Sequence, residues 1–191
     1  MLRADDTSGP RVSDEVGGVS LLGRLATWGS QAFNRRGLYL GHRSAKIHAA
    51  IYRRTGGRLG GHLPGLPAAR LLLLDHTGAK SGVRRTSPVM YHEDGDAIAV
   101  MASKAGQPTH PAWFHNLIAN PQTTIQIGSE IHRVRARVAT DDERARAWPR
   151  FAASYPGVDF FQRLAGGRRI PIVILDSLTD HPLPDRGTTN E

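Results

Sequence analysis

The sequence predicts a mainly β fold of the α+β class, and three observations predict it. Six short apolar or alternating runs follow one another from about residue 69. Two of the segments between them, Glu93-Asp94-Gly95-Asp96 and Gly128-Ser129, are short hairpin signals. Only two helical stretches interrupt the series. Consecutive strands with brief turns make an antiparallel barrel or sandwich with helices on its outside, and the pattern alone leaves both open.

Taken in order, residues 1–16 carry no periodic apolar pattern and read as a mobile tail. Residues 17–67 read as a basic amphipathic helical segment and its linker. Leu21, Leu25, Trp28 and Ala32 recur at helical spacing, and Leu22 and Phe33 widen that face. A second helix is predicted over 44–54 and ends at Gly56-Gly57. Gly60-Gly61, Pro64-Gly65 and Pro67 make 56–67 an irregular connection. Residues 68–176 form the barrel or sandwich domain, with strands over 70–75, 86–91, 97–102, 123–127, 130–139 and 170–176. In the fifth, Val134, Ala136 and Val138 alternate with Arg133, Arg135 and Arg137, so one face is buried and one is wet. Thr109-His110-Pro111 opens a helix running to Asn120, with Pro111 in its first turn. Thr140-Asp141-Asp142-Glu143 is a capping box that starts another, ended by Tyr155-Pro156, and a short helix follows to Leu164. Residues 177–191 read as a disordered tail.

Composition narrows the function classes. The 191 residues suffice for one domain with a full core, and the absence of cysteine excludes disulfide and thiol chemistry. No window approaches the roughly 18 apolar residues of a membrane span. The polar N-terminus lacks a signal-peptide pattern, which predicts a cytoplasmic protein. The net charge is +8. It concentrates in residues 17–61, where Arg24, Arg35, Arg36, Arg43, Lys46, Arg53, Arg54 and Arg58 meet no acidic residue. That segment predicts an anionic contact. For residues 19–54 the expectation is an anionic membrane surface, peripheral on the inner face of the plasma membrane, or packing on the main domain. A nucleic-acid-binding module is disfavoured by the missing motif, the 6% aromatic content and the confined charge.

Four stretches bear on chemistry. Gly78-Ala79-Lys80-Ser81-Gly82-Val83-Arg84-Arg85 joins an apolar run to a strand. Two close glycines, two cations and a hydroxyl make either a phosphate clamp or a basic hairpin tip; it is not a P-loop, because Lys80 precedes the second glycine and a strand follows. Ser103-Lys104-Ala105-Gly106 joins a strand end to a helix, as anion sites and ordinary connections both do. Trp113, Asn116 and Leu117 share one face of the next helix. Nine histidines hold no ligand pattern. His110 and His115, five apart, would diverge by about 140° on a helix, so no metal site is predicted. Ser81 and Ser103 lack the glycines of a nucleophile elbow.

In order along the chain stand Gly78-x-Lys80-Ser81-Gly82-x-x-Arg85, Pro88-Val89-Met90-Tyr91, Ala102-Ser103-Lys104-x-Gly106, His110-Pro111-x-Trp113-Phe114-x-Asn116-Leu117-x-x-Asn120-Pro121, Trp148-Pro149 with Tyr155-Pro156, and Ile170-Pro171-Ile172-Val173. Together with Tyr52-Arg53-Arg54-Thr55-Gly56-Gly57, this series resembles the deazaflavin-dependent nitroreductase family of actinobacteria over residues 43–176.

The resemblance implies a split β-barrel of the flavin-mononucleotide-binding-like type. It also implies the cofactor 8-hydroxy-5-deazaflavin, coenzyme F-420, whose reduced form donates a hydride to a lipophilic electron-poor acceptor such as a quinone, nitro compound or conjugated enone. By the family pattern Lys80, Ser81 and Arg85 hold the anionic phosphate and polyglutamate tail. Pro88, Val89 and Met90 lie along the ring, and Ala102, Ser103, Lys104, Trp113 and Asn116 complete the cleft. The proton that follows the hydride is expected from Tyr155, Ser103 or water. Tyr155, Val158 and Phe161 are the implied substrate wall, and the last two stand where well-known members carry tyrosines. That departure predicts a more apolar pocket, which fits a quinone or another conjugated lipophilic acceptor at least as well as a nitroimidazole. A non-catalytic cofactor- or lipid-binding barrel and a flavin-mononucleotide-dependent reductase are the alternatives. The assembly is expected to be a monomer or homodimer.

Overall fold

In the computed structural model, residues 42–178 are described. The expected tail over 1–16, the first helix from Val19 and the C-terminal tail beyond Leu178 lie outside them. The elements run α1 His42–Thr55, β1 His62–Leu63, β2 Leu66–Thr77, β3 Arg84–Asp94, β4 Ala97–Met101, a short 3₁₀ turn Lys104–Gly106, α2 Ala112–Ala119, β5 Gln122–Ile127, β6 Glu130–Val138, α3 Asp141–Ser154, α4 Val158–Leu164 and β7 Ile172–Ser177. All strand pairings are antiparallel, in the order β1-β2-β3-β4-β7-β6-β5. Two further pairs, Leu73↔Gln126 and Leu74↔Ile125, join β2 to β5 and close six strands into a barrel. The fold is therefore the split β-barrel and not a sandwich.

Strand alternation sorts the side chains into two cores. Leu72, Leu74, Val89, Tyr91, Ile98, Val100, Ile125, Val134, Ala136, Val173 and Leu175 form the inner one, and α2 adds Trp113 and Leu117 to it. Neighbouring residues in β4 and β7, among them Ala99, Met101, Ile172 and Ile174, face outward. There α3 and α4 cover them with Ala147, Phe151, Tyr155, Val158, Phe161 and Ala165. Both faces of these strands are buried, which is why they read as continuous apolar runs. Helix α1 covers Leu73 with Ala49 and Tyr52. The Tyr52 hydroxyl donates to the Leu71 carbonyl (3.1 Å) and accepts from the Gly128 N–H (3.0 Å), tying α1 to β2 and to the turn between β5 and β6.

The capping box forms. The Glu143 N–H donates to Thr140 Oγ1 (3.3 Å), and the Thr140 N–H donates to Glu143 Oε2 (2.8 Å). Arg137 on β6 grips the same carboxylate through two bonds of 2.7 Å and donates to Asp176 of β7 at 2.8 Å. The wet face of β6 is thus pinned to α3.

Some boundaries differ from expectation. Residues 170–171, read as strand, precede β7, and Ser177, read as tail, is its last residue. Residues 62–63 and 66–69, read as linker or domain start, are strand. Pro67 is accommodated there at the end of β2, where a missing N–H costs least. The strand after the glycine-rich turn starts at Arg84, so Arg84 and Arg85 are already in β3. Pro111 is the extended N-cap residue of α2 (φ −64°, ψ 150°) and not part of its first turn.

Candidate functional site

The barrel is open along one line. Pairing of β3 with β4 runs only from Asp94↔Ala97 to Tyr91↔Val100. From Met90 back to Arg84, β3 pairs with β2 alone among the described residues. Pro88, Val89 and Met90 lie on this strip. Backbone groups on such an edge need partners from outside the sheet, and Pro88 has no N–H to offer. Val89 points into the inner core, while Met90 packs against the outer one.

At one end of the strip the turn between β2 and β3 is curled on itself. The Gly78 N–H donates to the Val83 carbonyl (2.9 Å) and the Gly82 N–H to the Gly78 carbonyl (2.8 Å), with Gly82 left-handed at φ +65°. Ser81 Oγ accepts from Arg85 (3.2 Å) and from the Val83 N–H (3.4 Å). A Cβ on Gly78 would meet both Ser81 Oγ and the Arg85 guanidinium, so a side chain here would displace the Ser81–Arg85 pair. Lys80, Ser81 and Arg84 are exposed on this turn and Arg85 is half-buried.

Buried groups anchor the turn from below. Asn116 Oδ1 accepts from the Ala79 N–H (3.0 Å), and Asn116 Nδ2 donates to His76 Nδ1 (2.8 Å). His76 Nε2, which then carries the proton, donates to Ser87 Oγ (3.0 Å). Asn116 and His76 are both buried. The Asn116 amide thus serves the protein with its oxygen and its nitrogen. Sequence reasoning missed His76, although its alternation with Leu72 and Leu74 marks it as inward-facing.

At the other end lies the 103–106 loop. Lys104 (φ 49°), Ala105 (φ 52°) and Gly106 (φ 75°) are left-handed in succession. For the two non-glycines this costs roughly 1–2 kcal/mol each, so the surroundings must hold them. Gly106 lies against α4, where an added Cβ would sit 2.8 Å from the Phe161 carbonyl oxygen. Lys104 Nζ donates to Thr109 Oγ1 (2.8 Å), Ser103 is half-exposed, and Ala102 belongs to the inner core. Arg168, also missed, donates to the carbonyls of Ala102 and Ser103.

Beside this loop stands an apolar wall. The Tyr155 and Phe161 rings stack at 5.3 Å and 20°. The Tyr155 side chain is nearly buried, and its hydroxyl has no hydrogen-bond partner among the described residues. Val158 has no accessible surface, so it backs this wall from within the outer core and does not form its surface. Trp113 likewise sits in the inner core with Val89 and Ala102 and supports the strip from inside.

His110 precedes α2, so helical divergence does not apply to it: the His110 and His115 rings approach to 5.7 Å. Burial, then the charges of Arg168 and His115, push the His110 pKa below its ordinary value. Among the described residues no three potential ligands gather around a metal position. Two surface cavities of about 510 and 450 Å³ lie at the opposite end of β3, around Asp94 and Arg137 and around Arg70 and His92. They contain none of the predicted site residues.

The structure therefore sets the basic turn at one end of the strip and the Tyr155–Phe161 wall toward the other, with Trp113 inside the barrel and Val158 behind the wall. A family profile described as F420H(2)-dependent quinone reductase matches residues 44–177. An F420H(2)-dependent quinone reductase of Mycobacterium tuberculosis is 38% identical over 139 residues, covering 72% of this chain and 92% of the relative. A solved F420-H2 dependent reductase is 36% identical with a TM-score of 0.51, covering 56% of this chain and 93% of that one. Another solved chain, described as a domain-swapped dimer, is 31% identical with a TM-score of 0.54, covering 69% of this chain and 95% of that one.

Proposed function

We propose that this chain, which belongs to the F420H(2)-dependent quinone reductase family, binds coenzyme F-420 along the one-sided strip of β3 and reduces a lipophilic quinone against the Tyr155–Phe161 wall. The observation that carries the reading is the strip itself, with Lys80, Ser81 and Arg85 at one end and the stacked rings at the other.

The residues fit the cofactor's parts. A phosphodiester and polyglutamate tail are anionic, and the basic turn offers two cations and a hydroxyl. A flat ring needs a backbone edge with open donors and acceptors, and residues 84–90 have one on the β4 side. Bound there, the reduced cofactor supplies a hydride. The protein's own residues do the rest. Asn116 and His76 fix the turn, Trp113 and Ala102 back the strip, and Ser103 and Lys104 rim it. Tyr155 holds a proton at its hydroxyl for delivery to a reduced acceptor oxygen, with Ser103 as the second donor. Phe161 and the buried Val158 make the wall apolar and exclude water. One aromatic hydroxyl on an apolar wall suits a quinone better than a nitro compound. A conjugated enone meets the same demands, since it too needs one proton.

The testing experiment is a titration with oxidised F-420 beside flavin mononucleotide, read by Trp fluorescence, followed by turnover of a quinone and a nitroimidazole. Saturable F-420 binding, weakened by Lys80→Ala and Arg85→Ala, with quinone turnover supports the proposal. Preference for flavin mononucleotide transfers the barrel to the other cofactor, and binding without turnover of any acceptor makes it a carrier.

A second reading concerns location. Ile47 and Ile51 on α1 are 62% and 44% exposed, with Lys46 and Arg54 beside them. This apolar and basic face suits an anionic membrane surface where a lipophilic quinone resides, which makes the protein peripheral on the cytoplasmic side. Co-sedimentation with vesicles that does not depend on anionic lipid refutes it.

A further inference from the structure

We propose that Arg168 is the positioning residue of the cofactor-receiving loop: its guanidinium holds residues 102–107 by their carbonyls and sets Ser103 and Lys104 against α4. The proposal rests on the reading that F-420 binds along β3.

An arginine has five N–H donors. In Arg168 five bonds are made. Nη1 donates to the Ala102 carbonyl (3.3 Å) and reaches His110 Nδ1 (3.0 Å). Nη2 donates to the carbonyls of Ser103 (2.9 Å) and Gln107 (2.8 Å), and Nε donates to Gln107 as well (3.2 Å). No carboxylate among the described residues pairs with it. Its neighbour Arg169 is the contrast: exposed, and bound to Asp141 at 2.7 Å. Half-exposed and without a carboxylate partner among the described residues, Arg168 spends its donors on the carbonyls it gathers and on His110.

Those carbonyls flank the left-handed run at Lys104, Ala105 and Gly106. Arg168 is itself fixed to α4. Its N–H donates to the Ala165 carbonyl (3.1 Å), and its carbonyl accepts from Gln162 Nε2 (2.8 Å), one residue from Phe161. Gln162 Oε1 accepts from the Ile170 N–H (3.0 Å), which fixes the far side of the Arg168 segment. Loop and apolar wall are thereby one unit. Without the planar fork, Lys104 and Ala105 relax to right-handed backbone and Ser103 leaves its place at the end of the strip.

The experiment compares wild type, Arg168→Ala, Arg168→Lys and the control Arg169→Ala, by F-420 titration and steady-state quinone reduction. Expected are wild-type behaviour for Arg169→Ala, F-420 binding weakened at least about tenfold in both Arg168 variants, and kcat reduced by up to about a hundredfold, the scale of an ångström-sized misplacement. The quinone KM at saturating cofactor stays within twofold of wild type, and millimolar methylguanidinium restores part of the affinity in Arg168→Ala. If Arg168→Ala does not fold, Arg168→Lys is read alone, because it keeps the charge and stem and loses only the fork. Wild-type binding and kcat in Arg168→Lys, or in Arg168→Ala, overturn the proposal. Failure of the wild type itself to bind F-420 overturns the site reading and this role with it, and is distinct from a wild type that binds equally to its Arg168 variants.

Discussion

Replacing Asn116 by leucine separates a structural anchor from a cofactor contact. The volumes are similar, so no large cavity opens. Two bonds are lost, one to the Ala79 N–H at 3.0 Å and one to His76 Nδ1 at 2.8 Å. Ala79 is exposed, so its N–H finds water and the loss there is about 0.5–1.5 kcal/mol, the net worth of one hydrogen bond. His76 is 5% exposed, and its ring loses the donor that Nδ1 accepts from. A buried acceptor so deprived costs about 1–3 kcal/mol. Extra apolar burial of the leucine offsets about 1 kcal/mol of that. The net expectation is about 2 kcal/mol, or a Tm lower by about 4–8 °C in a chain of this size. The assay is thermal unfolding of the cofactor-free protein, alongside F-420 titration. An unchanged Tm with weakened F-420 binding refutes the reasoning, because Asn116 then acts on the cofactor directly.

Three other substitutions probe the same framework. Gly106→Ala combines φ +75° with a Cβ 2.8 Å from the Phe161 carbonyl; a loss of at least about 2 kcal/mol is expected, and an unaltered denaturation midpoint would mean that the loop does not rest on α4 as described. The Glu143 pKa is held down at about 2 from an ordinary 4.5, first by hydrogen bonds from Arg137 and then from Thr140. Its contribution is therefore full above about pH 4.5 and is lost as pH falls toward 2; with Arg137 44% exposed it amounts to about 1 kcal/mol. Glu143→Gln should lower stability by that amount at neutral pH and converge with wild type in strong acid, and a difference that persists in acid contradicts the assignment. Tyr155→Phe should reduce quinone kcat at least tenfold, below the 10²–10⁴ of general acid catalysis because Ser103 or water substitutes in part. Its F-420 affinity should not change, and undiminished turnover removes Tyr155 from proton delivery.

Much of this was legible from residue order. All six barrel strands were marked by runs or alternation, and the capping box at Thr140 fixed the start of α3. Barrel closure was not, because it depends on two pairs between β2 and β5 some fifty residues apart. The start of β2 was hidden by Gly65 and Pro67, which act as breakers only where the neighbouring strand needs their backbone groups. His76 carried a signal in its parity with Leu72 and Leu74. A polar ring aimed into a barrel needs a partner, yet nothing local names Asn116, forty residues on, as that partner. Arg168 carried none. In Gly166-Gly167-Arg168-Arg169 both arginines look like turn charges, and only the folded chain separates a five-bond fork from an exposed ion pair.

The two supports have one feature in common that explains why they were the hidden part. Asn116 grips a backbone N–H at Ala79, and Arg168 grips backbone carbonyls at Ala102, Ser103 and Gln107. A cofactor received along a strand edge meets mostly main chain, so its precision depends on where the main chain is held. On the proposed reading Lys80 supplies attraction for an anion, but an exposed cation on a flexible stem fixes no register. Register comes from groups that satisfy backbone polar atoms and are themselves locked, Asn116 through His76 and Arg168 through Gln162. Cofactor chemistry writes itself into recognisable motifs because it demands particular side chains at particular places. Backbone support can be given by any residue that reaches, so it leaves a weak mark in sequence and a clear one in structure.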